Sequence, residues 1–472
     1  MVDIEQPFVY TYRLFNRYFF YEVNNNSVCE VSKKNFEIIN KLIQAPHALL
    51  EDEVKIIKKI KDLGWLQSTR PEKIENSENL YFKNYLQTSI KNLTLQVTQN
   101  CNLNCKYCSF SGRGFLNRQK SHNDMSWQVA KKAIDFYIEH SRDYPKGTIA
   151  FYGGEPFLNY NLIIKCINYL EEKNRGKENI YFITTNGTIL NEKIITLLNQ
   201  YNIHLTISLD GNQELHNKNR RFAEDGSGSY DKIINNIEIL REKCPRAFKK
   251  LTINSVIDQS EDYDEYANYF KQNNLFEELV HSCSTIDTQK IEPHIITSSQ
   301  YKISKKKEEI CNYISYYTKR INSSLTDNLS MLDEKFSFEM PFQKKYHHGG
   351  PCVPGVLRLF VDINGKFYSC EKISENSQTM CIGDINTGFD YENIYKIMNI
   401  GNMTINKCKK CIALRHCNIC ANQCDNINEL SLQLKLFHCN RVLKEMKRAL
   451  RQYTTLGLCG VYKIYQDCKG LD

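Results

Sequence analysis

The sequence predicts an α/β fold built round a parallel sheet, and three patterns lead to it. From Leu93 onward short apolar runs alternate with amphipathic stretches, as repeated βα units do. The residues before them read instead as strands followed by helices. The third pattern is compositional. Of the 19 cysteines in this 472-residue chain, three sit in the run CNLNCKYC (Cys101, Cys105, Cys108). A second set follows far downstream at Cys352, Cys370, Cys408, Cys411, Cys417, Cys420, Cys424 and Cys439.

Residues 1–70 open with FVYTYRLF, RYFFYEVNN and NSVCEVS, whose aromatic–polar alternation predicts three short antiparallel strands, with turn chemistry at Asn24–Asn26. Two helical patterns follow, one on Phe36, Ile39 and Leu42, the other on Val54, Ile57, Ile60 and Leu63 before a stop at Gly64. This order resembles a small winged-helix module. Residues 71–92 are polar with little periodicity and read as a linker. Across 93–298 the candidate strands are Leu93–Thr98, Thr148–Tyr152, Ile180–Thr184, His204–Leu209, Leu251–Ile257 and Leu279–Cys283, with helices between them such as the one carrying Val129, Ala130, Ala133, Ile134, Tyr137 and Ile138. Their sheet is either open or curled into a barrel. Residues 299–346 form a helical bridge, helical over Ser299–Ser323. Residues 347–445 form the cysteine-rich region, in which VLRLFVDI and GKFYSC flank a turn at Asn364–Gly365, and 446–472 a helical tail.

Composition narrows the function classes. With 25% charged and 41% hydrophobic residues the chain reads as globular. No apolar run reaches the ~20 residues that span a bilayer, so no membrane partner is expected. The net charge of +8 is scattered, as in Lys305–Lys307 beside Glu308 and Glu309, and reads as solvated helix surface rather than a nucleic-acid footprint. The N-terminus lacks a signal-peptide pattern. Abundant cysteine without one predicts metal ligands in a reducing cytoplasm rather than disulfides.

Three thiolates spaced C-x3-C-x2-C leave one iron of a four-iron cluster open to a ligand from outside the protein. A zinc knuckle or three unrelated thiols are the alternatives. GGEP (Gly153–Pro156) then closes the second strand, where glycines let backbone approach a ligand and Glu155 can hold an ammonium group. TTNG (Thr184–Gly187) closes the third strand, and SLDG (Ser208–Gly211) the fourth, running on to His216 and Arg220.

Together these motifs resemble radical S-adenosylmethionine (SAM) enzymes, and the resemblance implies a partial (β/α)6 barrel. In that family the cysteines corresponding to Cys101, Cys105 and Cys108 bind a [4Fe-4S] cluster whose open iron chelates SAM. Cleavage of SAM then yields a 5′-deoxyadenosyl radical. Carried over position by position, Gly153, Gly154 and Glu155 would meet the SAM amino group and Tyr107 the adenine. Asn186, Ser208, Asp210, Arg220 and Asn254 would line the remainder of the site. Asn217 departs from the aspartate usual after the family's histidine.

The second cysteine set resembles a SPASM domain, which binds two auxiliary [4Fe-4S] clusters. Cys408, Cys411, Cys417 and Cys439 would hold the outer one. Cys352 and Cys370 would hold the inner one with Cys420 or Cys424, because the family spacing falls on Ala421 and leaves that choice open. A zinc ribbon is the structural alternative. Glu371, next to Cys370, stands where related sulfatase-maturing enzymes carry a candidate base.

The whole resembles radical SAM/SPASM peptide maturases with an N-terminal leader-recognition module. The run GPCVPGVLRLFVDINGKFYSCE is similar to maturases of cysteine-rich peptides. The implied activity is thioether cross-linking of a ribosomally made precursor peptide, with ferredoxin or flavodoxin as reductant. Formylglycine formation in a sulfatase is the rival enzyme reading. A non-catalytic iron–sulfur electron carrier or a metal-sensing regulator is the rival of another class, disfavoured by the GGEP, TTNG and SLDG set.

Overall fold

The computed structural model describes residues 5–108, 118, 120–286, 297–317, 335–337, 339–348 and 352–471. The expected helix over 318–323, and Gly350 and Pro351 of the cysteine-rich run, lie outside the described residues.

Strands β1 (Val9–Leu14) and β2 (Arg17–Glu22) form a hairpin whose two turn residues, Phe15 and Asn16, have φ of 49° and 57°. Both are left-handed, as a two-residue turn matching the strand twist requires. Strand β3 (Ser27–Val31) pairs antiparallel with β2. Helix α1 (Lys33–Gln44) starts at Ser32, whose hydroxyl accepts from the Asn35 amide at 3.2 Å. Helix α2 (Glu51–Asp62) runs out at Gly64, φ 88°. Phe20, Cys29 and Val31 on the sheet bury against Phe36, Ile39 and Leu42 of α1, Ile57 and Ile60 of α2, and Trp65. Each fully buried large apolar side chain contributes ~1.5–3 kcal/mol.

The linker reading is corrected. Residues 71–92 contain α3 (Phe82–Thr88), and Ile74, Phe82, Leu86 and Ile90 are buried in the main core. Ile74 and Ile90 stand alone among polar residues, and the helix that carries Phe82 and Leu86 is only seven residues long, too short for a periodic signal.

Six parallel strands follow in the order β4 (Leu93–Thr98), β5 (Lys146–Gly153), β6 (Glu178–Thr185), β7 (Ile203–Ser208), β8 (Thr252–Ile257) and β9 (Val280–Thr285). Between and after them run α4 (Trp127–His140), α5 (Tyr160–Lys173), α6 (Glu192–Gln200), α7 (Gln213–Asn219), α8 (Tyr230–Lys243), α9 (Pro245–Phe248), α10 (Tyr263–Gln272) and α11 (Ser299–Tyr317). A parallel sheet covered on both faces is apolar throughout. Here β4 is buried throughout and β9 exposed, while β5 to β8 alternate. Leu95, Phe151, Ile183, Leu205 and Ile253 are buried, whereas Ala150, Tyr152, Thr184, Thr206 and Asn254 are only partly so. One face packs on helices; the other is polar and open enough to receive a ligand.

The cysteine-rich region extends this same sheet. Strand β10 (Leu359–Val361) lies parallel to β4 with Phe360 opposite Thr94, and β11 (Lys366–Tyr368), β12 (Cys381–Asp384) and β13 (Gly388–Phe389) continue it antiparallel to a total of ten strands.

The tail expected over 446–472 is likewise redrawn. One 27-residue helix, Leu432–Leu458, begins within the cysteine-rich region and carries Cys439. Beyond it the Tyr465 amide donates to Val28 O at 3.0 Å and Tyr465 O accepts from the Glu30 amide at 2.8 Å, a parallel bridge on the β3 edge. Cys468 is buried in the core of the N-terminal module. Among the described residues no helix is long and apolar enough to cross a membrane.

Candidate active site

The three-cysteine loop leaves the end of β4 and is held by backbone contacts. The amides of Asn104 and Lys106 donate to Arg221 O (2.8 Å) and Asn219 O (3.0 Å), and Leu103 is buried beneath the loop. The thiols of Cys101, Cys105 and Cys108 lie within electrostatic reach of one another. Burial pushes the Cys101 thiol up to about 11 and the Cys105 thiol to about 12, so a metal is needed to hold them as thiolates. The Asn186 amide nitrogen lies 3.8 Å from Cys101 Sγ and donates to Asn102 Oδ1 at 2.8 Å.

GGEP is pressed against this loop. The amides of Gly154 and Glu155 donate to Thr98 O (2.9 Å) and Asn100 O (2.8 Å). Glu155 is fully buried; Oε1 accepts from the Phe157 amide (3.0 Å) and the Thr185 hydroxyl (2.9 Å), and Oε2 from the Asn186 amide (2.7 Å). Burial nevertheless pushes its pKa up to about 7. The carboxylate therefore ties the β5 loop to the β6 loop beside the cysteines, and it is the one acid buried next to Cys101 among the residues the motifs single out.

Tyr107, Asp210 and Arg220 engage one another. Asp210 accepts from the Tyr107 hydroxyl, from Arg220 Nε at 2.8 Å and from the Val256 amide at 2.9 Å, and the Arg220 guanidinium stands 5.3 Å from the Tyr107 ring centroid. The carboxylate that Arg220 meets is thus the chain's own Asp210. Bracing of the cysteine loop against the β7 loop is the role this geometry gives the trio.

Behind it the buried His216 accepts from the Asp210 amide through Nδ1 (3.2 Å), its Nε2 lies 2.9 Å from Ser229 Oγ, and that hydroxyl donates to Arg220 O (3.0 Å). Burial lowers the His216 pKa from 6.5 to about 4, so the ring is neutral. The unfolded chain takes up this proton below about pH 6.5 while the folded chain resists until about pH 4. Stability from this ring is therefore whole above 6.5 and lost as pH falls towards 4, by up to about 3 kcal/mol. Denaturant unfolding at about pH 7 and about pH 5 should record the loss, and a histidine-to-glutamine change at His216 should flatten that dependence.

Ser208 and Asn254 are register partners on β7 and β8, and among the described residues neither side chain has a hydrogen-bond partner. They are polar groups left open at the carboxyl ends of parallel strands, where ligands bind in such sheets.

Across the open face, Tyr152 on β5 lies within electrostatic reach of Arg118, Glu371, Cys108 and Glu375. Glu371 Oε1 accepts from Arg358 at 2.5 Å, while Oε2 is buried without a partner. Sequence reasoning missed the clamp that holds it there. Arg118 pairs with Glu375 (2.7 Å) and donates to Glu371 O and Ile373 O, joining the segment after Cys370 to the barrel. No local motif marks Arg118, Glu375 or Tyr152. Asn102, Thr185 and Thr188 were missed as well, although each sits beside a residue the motifs do mark.

The second cysteine set resolves into two neighbourhoods. Cys352 has Cys370 and Cys420 as electrostatic neighbours, whereas Cys408, Cys411, Cys417 and Cys439 surround one another. Cys424 lies between, facing Cys420, Cys417 and Cys439, and burial pushes its thiol up to about 12. All the cysteines are free thiols. Among the described residues no three His, Cys, Asp or Glu side chains converge on a single-ion position.

Residues 95–271, from β4 into α10, match the family model described as Radical SAM superfamily. The chain carries a radical SAM domain. The radical SAM cyclopropyl synthase TigE of Paramaledivibacter caminithermalis is 32% identical over 187 residues, covering 38% of this chain and 37% of that protein. A cysteine-type anaerobic sulfatase-maturating enzyme of Clostridium novyi is 32% identical over 154 residues, 32% of this chain and 40% of the enzyme. The chain thus spans about two fifths of the length of these curated relatives. The solved structure of native anSMEcpe with bound AdoMet superposes with a TM-score of 0.55 at 19% identity, over 78% of this chain and 99% of that one, which extends the shared fold beyond the radical SAM domain.

Proposed function

We propose that the chain is a radical SAM peptide maturase that joins a cysteine sulfur to a carbon within a ribosomally made precursor peptide. The observation that carries this reading is that Tyr152 has both Cys108 of the three-cysteine loop and Glu371 as electrostatic neighbours. It sets a radical-generating site and a candidate base on one polar sheet face.

A [4Fe-4S] cluster on Cys101, Cys105 and Cys108 fits a donor set of three thiols whose loop leaves the fourth position to a ligand. With SAM bound it would supply a 5′-deoxyadenosyl radical that removes a hydrogen atom from a substrate carbon. The chain's own residues do the rest. Gly153 and Gly154 let the β5 loop lie flush on the backbone of Thr98 and Asn100 beside Cys101, Ser208 and Asn254 offer polar groups to SAM, and Asn186 donates toward Cys101 Sγ. Forming a thioether removes two hydrogens from the peptide. One leaves as the atom taken by the nucleoside radical. The other would leave as a thiol proton, for which Glu371 Oε2 is the acceptor, and an electron, whose uptake is the redox chemistry an auxiliary cluster would supply. Cys352, Cys370 and Cys420 would hold the inner cluster of a SPASM domain, and Cys408, Cys411, Cys417 and Cys439 the outer one. Ferredoxin or flavodoxin would reduce the SAM-binding cluster.

The N-terminal module would bind the leader by strand addition. Because Tyr465 already pairs with the β3 edge, the edge left without a strand partner among the described residues is β1, beside the groove between Thr11, Arg13 and Asn40. The sulfatase-maturating relative favours a second reading, oxidation of a protein side chain to formylglycine.

Anaerobic reconstitution with iron and sulfide, then reduction in the presence of SAM and a cysteine-bearing precursor peptide, tests the proposal. 5′-Deoxyadenosine and a peptide lighter by two hydrogens are expected; neither product after reduction would refute it. In the same assay Glu371→Gln should still release 5′-deoxyadenosine while cross-linked product falls ~10²-fold or more.

A further inference from the structure

The helix Leu432–Leu458 carries a lysine in a place where lysine is costly. Lys435 is 1% exposed, and its ammonium donates to Ile400 O. Among the described residues no carboxylate pairs with it. Its electrostatic neighbours are the thiols of Cys408, Cys417, Cys424 and Cys439, the last of them one helical turn further along the same helix face. A buried ammonium is strongly disfavoured unless negative charge lies close by. Protonated thiols and one carbonyl do not supply it. Metal-bound thiolates do.

We propose that Lys435 is the buried counter-cation of the outer auxiliary cluster, a positioning residue that sets the reduction potential of that cluster and helps to retain it. The inference rests on the auxiliary-cluster reading given under Proposed function. Reduction adds one electron to a cluster already negative through its four thiolates. A fixed positive charge at short range in a poorly polarisable interior stabilises the more negative state and raises the potential. The outer cluster then accepts the electron withdrawn from the peptide more readily, and the electron has somewhere to go before it returns to the substrate. Lys407 also reaches Cys411 and Cys439, but Lys435 is the lysine of the two that is buried.

Lys435→Met and Lys435→Arg test this in the full chain, purified and reconstituted without oxygen. Iron and sulfide are counted, and midpoint potentials are read by electron paramagnetic resonance during a redox titration. K435M should shift one auxiliary cluster to a more negative potential with the SAM-binding cluster unmoved, and K435R should restore the wild-type value. Loss of one cluster's iron in K435M but not in K435R carries the same conclusion, because arginine keeps the positive charge that methionine removes. Fully loaded K435M with unshifted potentials would overturn the inference, as would equal loss of iron from both variants. A wild-type chain that binds only the SAM-binding cluster would overturn the auxiliary-cluster reading and this inference together, which distinguishes the two failures.

Discussion

Alanine at Cys101, Cys105 and Cys108 together should yield a folded chain that lacks one cluster's iron and releases no 5′-deoxyadenosine, a fall of at least about 10³-fold. The chain should survive because the loop is held mainly by backbone bonds, its thiols accepting only the long bonds from Leu103 and Asn186 to Cys101. Asn104 and Lys106 bond through their backbones to Arg221 and Asn219, the Ala223 amide bonds to Asn102 O, and Leu103 anchors the loop from beneath. Chemistry should not survive. Nothing else among the described residues presents three thiols at the carboxyl end of the parallel strands. Iron content, circular dichroism and chromatography of the nucleoside product check the three parts separately. Nucleoside release at wild-type rate from the iron-depleted variant would remove the basis for the proposed function.

Much of the catalytic half was legible because its signals are local. Alternating apolar runs marked six strands whose observed ends differ by no more than two residues from those expected, and each motif sits at the carboxyl end of its strand. A strand pattern needs only its own residues, and so does a turn. What stayed hidden depends on partners distant in sequence. Arg118 meets Glu375 across more than 250 positions, and Tyr465 completes the edge of a sheet that begins at Val9. Phe82 and Leu86 are buried by neighbours that no local window contains. The roles of Tyr107, Asp210 and Arg220 shifted for a related reason. A motif marks which residues gather at a site, but only geometry tells whether they face a ligand or one another, and these three satisfy each other. The spacing left Cys420 and Cys424 open for the same reason, since only the fold shows that Cys420 neighbours Cys352 and Cys370 while Cys424 stands between the two sets.

The second large effect is expected at Gly153. Its φ of 142° is a conformation that L-residues rarely adopt, and a Cβ there would stand 2.0 Å from the carbonyl oxygen of Thr98. That oxygen cannot swing aside, because it accepts the Gly154 amide bond that joins GGEP to the cysteine loop. Backbone strain of this kind costs ~1–3 kcal/mol, and the displaced strand end adds loss of the 2.9 Å bond, worth ~0.5–1.5 kcal/mol. Gly153→Ala should therefore destabilise the chain by about 3 kcal/mol and, by moving Thr98 away from Asn100 and Cys101, reduce both SAM binding and iron retention. Gly226 is the internal control. Its φ is 73°, yet nothing lies within 4 Å of where its Cβ would be. Gly226→Ala should cost only about 1 kcal/mol and leave the iron in place. Denaturant unfolding of the two variants, with iron counted in each, separates crowding against Thr98 from the left-handed conformation the two glycines share. Equal losses in both variants would mean that the close approach of Gly153 to Thr98 contributes nothing of its own.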